Sequence, residues 1–499
     1  MDKVIKGKEL RLRELRRKVL IPTFTLTEVC DKGDPAAVKR SISGSKEREA
    51  FTYHLKPVVD PIEGAHRNHN LFPIVLSRDS IPWDLGALFI LDRLEAETNP
   101  DMVTLKSLAD DLGAFREWLD SHENPDYLLF SFPKLPLSRV TYRYRGSLKK
   151  RIEIGEIAAS TAKRRMATVV SFYRWMIKEE FFQPTNDPWQ ERTYGLTLTN
   201  SYGGSFKKTV KSTDLQILAS KADDPLDDTI QDDDKLRPLP LEEQKRVMEA
   251  ADALGNGEMY LFILFMLLTG ARIQTVGTLR VRHFIQANPA FSNGIAGQGQ
   301  VFKLKAGPGT GIDTKRNKNK TLQIPKLLYE ALHVYVISDR ARRRREMAPG
   351  GDHLDQYFFL TQQGSPYYTA KAQSSGYDPN MVRRHHKNGG TVRQFLKERL
   401  IPFVQNRYDP KFKFRIHDLR ATFGINQTDI QMSLVQAGVI TLSKARSIVK
   451  ELMLHTSSAT TDKYLDYRKQ MKMILAAING HGDHVQGWID RAMKGIENR

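Results

Sequence analysis

The sequence predicts a mainly α-helical, multi-domain protein with a small antiparallel β-sheet, and three observations carry that expectation. The chain has 499 residues, more than one hydrophobic core sustains, so two or three domains are expected. Apolar residues recur at helical spacing in "STAKRRMATVVSFYRWMIKEE", and the run "MYLFILFMLL" from Met259 to Leu268 is apolar on every side, as a buried helix is. Two short β-like segments, "VFKLKA" and "TLQIP", flank a polar turn.

In chain order, residues 1–78 mix basic clusters with Pro-containing extended stretches and read as an arm or accessory DNA-binding region. Residues 79–200 read as a helical domain. There Ser160 is the expected N-cap of a helix whose apolar stripe is Met166, Val169, Val170, Tyr173 and Ile177. Lys163, Arg164 and Arg165, with Arg174 and Lys178, belong either to a solvated face or to phosphate contacts. The earlier "YRYRGSLKKR" interleaves aromatics with cations and turns the balance towards DNA, with Tyr142 and Arg143 as candidate contacts.

Residues 201–235 read as a linker. "KADDPLDDTIQDDDKLRPLP" is too acidic and Pro-rich for a packed core, and phosphate should repel it. Residues 236–470 form the next domain, opening with a helix that carries Glu242 and Glu243 in its first turn, followed by the apolar helix and the two strands. Residues 471–499 contain an amphipathic stretch that suits a terminal helix, either packed on its own chain or exchanged between protomers.

Lys and Arg outnumber Asp and Glu by 77 to 58, giving +19 formal charge and a pI near 9.7, so a polyanion is the expected partner and nucleic acid the first candidate. Cys30 is the single cysteine, which excludes an internal disulfide or a thiolate zinc cluster and suggests a reducing cytoplasm. The charged N-terminus lacks the apolar core of a signal peptide, and the longest apolar run is half of the ~20 residues that span a bilayer. A soluble cytoplasmic protein without a membrane partner is the expectation.

Cutting a phosphodiester with a side-chain hydroxyl needs a nucleophile, cations for the phosphoryl oxygens and an acid for the leaving sugar oxygen. Guanidinium suits the oxygens because its planar fork donates two hydrogen bonds and stays charged. Three segments offer such groups. Arg272 in "LLTGARIQT" follows the apolar helix, beside Gly270. His417 and Arg420 in "FRIHDLRATFG" stand at i and i+3, one face of a helix. "LHTSSATTDKYLDY" carries His455 nine positions before Tyr464, in a stretch so polar that it reads as a flexible segment letting the phenol reach an anionic backbone.

Together these boxes resemble the tyrosine recombinase (phage integrase) family of site-specific DNA recombinases. Its signature is an arginine after an apolar helix, a His-x-x-Arg box, and a His or Trp nine residues before a nucleophilic tyrosine. The resemblance spans residues 236–470, and the helices before it look like the family's core-binding domain. It implies a helical core-binding domain plus a catalytic domain, with Arg272, His417, Arg420, His455 and Tyr464 catalytic and Tyr467 as the rival nucleophile. It further implies a hairpin lysine as acid: Lys315 is favoured, and Lys318 and Lys320 stay open or contact DNA.

Two positions depart from the family. Leu454 stands where a glycine is common, and Thr275 stands where a carboxylate often orients the first arginine. The resemblance implies a 3′-phosphotyrosine intermediate that stores the bond energy, so rejoining needs no ATP, metal or other cofactor. It implies double-stranded DNA as partner, a tetramer on two DNA segments, accessory DNA-bending proteins and, in a bacterial cytoplasm, association with the nucleoid. Arg383 and Arg384 in "RRHHK" are further DNA candidates, within a 367–390 insertion of unassigned role. "RARRRR" at 340–345 is either a phosphate contact or a solvated helix end. The alternatives are a non-cleaving DNA-binding regulator on the same fold and type IB topoisomerase-like relaxation.

Overall fold

A computed structural model describes residues 17–35, 37–42, 51–59, 64, 66–97, 100–199, 205–218, 229–232, 234–295, 299–375, 377, 387–455 and 457–469. The fold is mainly helical with small antiparallel sheets, and the chain divides into two compact units, Met1–Asp223 with Lys371–His386, and Asp224–Ala370 with Lys387–Arg499. Among the described residues no helix is long and apolar enough to cross a membrane.

In the first unit β1 (Lys18–Thr25) pairs antiparallel with β5 (Asn68–Val75), while β2 (Thr27–Cys30), β3 (Val38–Ile42) and β4 (Phe51–Pro57) form a second sheet in the order β2-β4-β3. The basic, Pro-containing N-terminal region is thus strand-rich over its described part. Four long helices follow: α1 (Asp84–Glu95), α2 (Met102–Asp120), α3 (Val140–Glu153) and α4 (Ala159–Lys178). They bury Phe89, Phe115, Tyr144, Phe172 and Tyr173 in one apolar cluster. Asp101 caps α2, its side chain accepting from the Val103 amide.

The stripe expected on α4 is buried at Met166, Val169, Val170 and Tyr173, with Ile177 half-buried. The helix begins two residues earlier than Ser160 suggests: Ala158 is its N-cap, without a side-chain hydrogen bond. Over its described residues the segment expected to be a linker forms strands and packs into the units. β6 (Glu191–Thr199) and β7 (Ser205–Thr213) form a hairpin, and Leu215 and Ile217 are buried in the first unit's core.

The second unit starts with a short hairpin, β8 (Ile230–Asp232) and β9 (Asp234–Leu236), then α5 (Leu241–Ala253), with Glu242 and Glu243 in its first turn, and α6 (Gly257–Thr269). α6 is capped by Asn256, whose side chain accepts from the Met259 amide, and ends at Gly270 with φ 63°, a left-handed turn that glycine adopts freely. A Cβ at Gly270 would also lie 2.4 Å from the Phe423 ring, so close packing demands glycine as well.

After α7 (Ile273–Gly277) come β10 (Ser292–Asn293), β11 (Gln300–Ala306) and β12 (Lys320–Pro325), an antiparallel sheet in sequence order that contains both expected strands. α8 (Lys326–Ile337) packs on β11 and β12. α9 (Asp339–Glu346) carries the arginine run, which is spent on ion pairs: Arg340 and Arg344 hold the fully buried Glu258, and Arg345 holds Asp352. α10 (Gly390–Phe395) precedes α11 (Asp418–Gln436) and α12 (Leu442–Leu452), and a further helix, α13, covers 458–469. α11 packs on both α6 and α12.

Candidate active site

The first arginine is delivered by the turn at Gly270: Arg272 is the N-cap of α7 and half-buried, its guanidinium 3.9 Å from Asp232 Oδ1. Thr275 donates its hydroxyl to the Asp313 carbonyl, and the carboxylate near Arg272 is that of Asp232, from outside the segment.

The second box lies at the start of α11. His417 is the N-cap position and Arg420 sits in the first turn, one turn of helix away. Arg420 is buried and fully engaged: Nη1 donates to the Gly270 carbonyl at 2.8 Å, Nη2 to the Met453 carbonyl at 2.7 Å, and Nε to Asp232 Oδ2 at 2.9 Å. One guanidinium therefore joins the end of α6, the end of α12 and the β8–β9 hairpin. Burial, then the charges of Arg393 on α10 and of Arg272, lowers the His417 pKa, so its imidazole is neutral near pH 7.

The third box is folded differently from its polar composition. Tyr464 is fully buried on α13, in an apolar cluster with Ala421, Phe423, Val449, Leu452 and Met453. The reason is helical phase: Thr461 and Tyr464, three apart, both point inward and are fully buried, while Ser457, Ala459 and Lys463 face solvent. The ring lies on Gly424 of α11, where a Cβ would be 2.3 Å from Cε1. Tyr467, the rival, packs at the edge of the same cluster.

Leu454, the residue in the glycine position, takes φ 56°, the left-handed conformation that glycine favours. That turn aims the Met453 carbonyl at Arg420 and the Leu454 carbonyl at Lys320, whose Nζ donates to it at 3.3 Å. Beside it, His455 makes two contacts: Nε2 to Asp232 Oδ2 at 3.3 Å and Nδ1 to the Thr461 hydroxyl at 3.1 Å. Burial lowers the His455 pKa, against the hydrogen bond to Asp232 that raises it. The network assigns the neutral Nε2–H tautomer, with Nδ1 accepting from Thr461.

Arg272, Arg420, His455 and Tyr464 converge on the Asp232 carboxylate, whose Oδ2 accepts from Arg420 Nε, from His455 Nε2 and, at 3.1 Å, from the Tyr464 hydroxyl. Burial alone would push the Asp232 carboxyl up. The His455 hydrogen bond and the charges of Arg420 and Arg272 overcome it and hold the group ionised, well below the usual carboxylate range. Burial and the adjacent Asp232 charge push the Tyr464 phenol well above its ordinary value, so the free protein holds it protonated.

Lys320 is tied to the cluster: burial, then the charges of Arg272 and Arg420, lowers it to about 8. Lys315, favoured by the sequence, is half-buried in the 3₁₀ turn Lys315–Asn317, and Lys318 follows that turn.

Asp232 is a residue of the cluster that sequence reasoning missed. The acidic run was expected to stay off any phosphate surface, yet the structure buries one of its carboxylates among the site's cations. A signal was present: Ile230 and Leu236, apolar residues bracketing the aspartates, are both buried.

In the first unit, the Tyr142 hydroxyl donates to Asp214 at 2.6 Å, Arg164 pairs with the buried Asp111 at 2.9 Å, and Arg143 and Lys163 are exposed. Arg165 is half-buried, its Nε and Nη1 without hydrogen-bond partners. Arg383 and Arg384 lie outside the described residues.

No family model and no curated protein matches this chain. Among solved structures it is similar to a Tn1549 transposon integrase in complex with circular intermediate DNA, at 12% identity and a TM-score of 0.40, covering 76% of this chain and 94% of that one. It is similar to a lambda integrase (75–356) dimer bound to a COC′ core site, at 14% and 0.38, covering 76% and 95%. It is also similar to the XerH site-specific recombinase bound to difH substrate, at 14% and 0.39, covering 78% and 88%.

Proposed function

We propose that the protein is a site-specific DNA recombinase or integrase that cleaves and rejoins double-stranded DNA through a 3′-phosphotyrosine intermediate at Tyr464. One observation carries this reading: the Tyr464 hydroxyl and the Arg420 guanidinium meet at a single anionic oxygen within 3.1 and 2.9 Å, with Arg272 and His455 closing around the same carboxylate. A site that gathers two guanidiniums, an imidazole and a phenol about one monoanion has the parts for attack on a phosphodiester.

In that reading the scissile phosphate lies between Arg272 and Arg420, which neutralise its non-bridging oxygens. The Tyr464 oxygen attacks phosphorus, and His455 or His417, both neutral near pH 7, accepts the phenolic proton. The P–O5′ bond breaks, and Lys320 gives its proton to the departing 5′-oxygen. Attack of another strand's 5′-hydroxyl on the phosphotyrosine reverses these steps and restores Tyr464. Rejoining to a second duplex requires more than one active site, which agrees with a tetramer on two DNA segments. Accessory DNA-bending proteins and phosphate contacts from Arg143, Lys163, Arg165 and Lys318 belong to the same proposal.

The test is a duplex carrying a nick beside the cleavage position, whose short 5′-hydroxyl fragment diffuses away and traps the adduct. Wild type should give a denaturation-resistant protein–DNA band that Tyr464→Phe abolishes and Tyr467→Phe keeps. A band lost with Tyr467 instead would reject the assignment. The burial of Tyr464 favours a second reading, a DNA-binding regulator that never cleaves, for which no variant would give a band.

A further inference from the structure

The anion at the centre of the site belongs to the chain itself. Asp232 lies on a hairpin of three residue pairs, Ile230 with Leu236, Gln231 with Lys235 and Asp232 with Asp234. Ile230 and Leu236 are buried in the cluster that contains Tyr464, and Lys463, next to the phenol, donates to the Gln231 carbonyl at 2.9 Å. The hairpin therefore holds the site's cations and covers its nucleophile together.

We infer that this hairpin is an intramolecular stand-in for the scissile phosphodiester: Asp232 occupies the phosphate's position in the free protein, and DNA must displace it before Tyr464 reacts. The inference rests on Tyr464 being the nucleophile. A carboxylate and a phosphodiester each carry one negative charge, and each accepts hydrogen bonds from guanidinium and imidazole. They compete for the same donors, because Asp232 Oδ2 already takes the Nε–H of Arg420 and the Nε2–H of His455, and two anions at that point would repel each other.

The hairpin also fits the role of a removable piece. Two strands of three residues hold little by themselves, so its position depends on Ile230, Leu236, the ion pairs of Asp232, the Lys463 contact and Arg415, which pairs with Asp234 and donates to the Lys235 carbonyl. Its departure would uncover the Tyr464 ring and release the Lys463 contact, loosening α13 at the moment when the phenol has to move. Cleavage would thus be coupled to binding a duplex whose other phosphates supply the energy to open the hairpin.

The experiment compares full-length wild type with Asp232→Asn, which keeps shape and an acceptor oxygen but removes the charge. Because apparent affinity scales with the fraction of protein whose site is open, the variant should bind the nicked duplex roughly tenfold or more tightly. At saturating DNA it should form the adduct at least as fast as wild type. Unchanged affinity would overturn the inference. So would a folded variant that cleaves saturating DNA more than roughly tenfold slower, since Asp232 would then act in the reaction.

If the variant proves unstable, hydrogen exchange in wild type decides: the amides of 230–236 should lose protection when the duplex is added, and retained protection sinks the idea. Failure of the functional reading looks different, for neither protein would attach to DNA, while exchange would still report whether Asp232 leaves its seat.

Discussion

Lys320→Ala, set beside Lys315→Ala, tests which hairpin lysine protonates the leaving 5′-oxygen. A sugar alkoxide is nearly as basic as hydroxide, whose conjugate acid ionises near ~15.7, so its expulsion needs a proton. Removing a general acid costs ~10²–10⁴-fold in rate. Lys320 is held near the site by the Leu454 carbonyl at 3.3 Å and lowered to about 8 by burial and by Arg272 and Arg420. It would be about nine-tenths protonated at pH 7 and about one-tenth at pH 9. The rate of adduct formation should therefore fall as pH rises through about 8, because the active form is the protonated one.

The assay is single-turnover cleavage of the nicked duplex, with oxygen or sulfur at the bridging 5′ position. A thiolate, with a conjugate acid near ~8.5, leaves without help. The expected result is that Lys320→Ala loses ~10²–10⁴-fold on the oxygen substrate and recovers most of it on the sulfur one. Lys315→Ala should change neither by more than about tenfold. The reverse pattern, with Lys315→Ala crippled and rescued by sulfur, would refute the inference from burial and proximity.

Gly424→Ala would drive a methyl group to 2.3 Å from Cε1 and 2.8 Å from Cδ1 of Tyr464, so thermal unfolding should show about 1–3 kcal/mol lost and the adduct yield should fall. Glu258→Ala leaves Arg344 buried without its carboxylate and should cost about 3–5 kcal/mol by the same measurement. Acid should destabilise the second unit. Asp232 and Glu258 have folded pKa values below their ordinary ones, so their stabilisation is complete above about pH 4.5 and is lost as pH falls below it, and a pH series of melting midpoints checks the sign. Leu454→Gly removes a left-handed leucine that costs about 1–2 kcal/mol, and it should fold at least as stably while keeping activity within a few-fold.

The parts of the site that the sequence made legible are those with local geometry. Arg272 follows a left-handed turn that demands Gly270, and His417 and Arg420 are one helical turn apart. Asp232 was illegible because its partners stand 188 and 223 residues away at Arg420 and His455, and no spacing rule spans such a distance. The acid could not be chosen because Lys315, Lys318 and Lys320 share one turn, and which of them meets the guanidiniums depends on strand register. Tyr464 was misjudged for another reason. Averaging the polarity of a segment hides its phase: Thr461, three residues earlier, shares the buried face, with Tyr467 at its edge. Among the fold elements, both β-like segments became strands, while the segment expected as a linker contributes β7 to one unit and β8 and most of β9 to the other.

The guanidinium of Arg420 is clasped by pieces of chain that the ribosome makes at widely separated times: residue 232, then 270, then 453. Tyr464 emerges after all of them. A nascent or truncated polypeptide that stops before residue 453 therefore lacks one of the three carbonyl and carboxylate partners of Arg420, and one that stops before residue 464 has no phenol to set against Asp232.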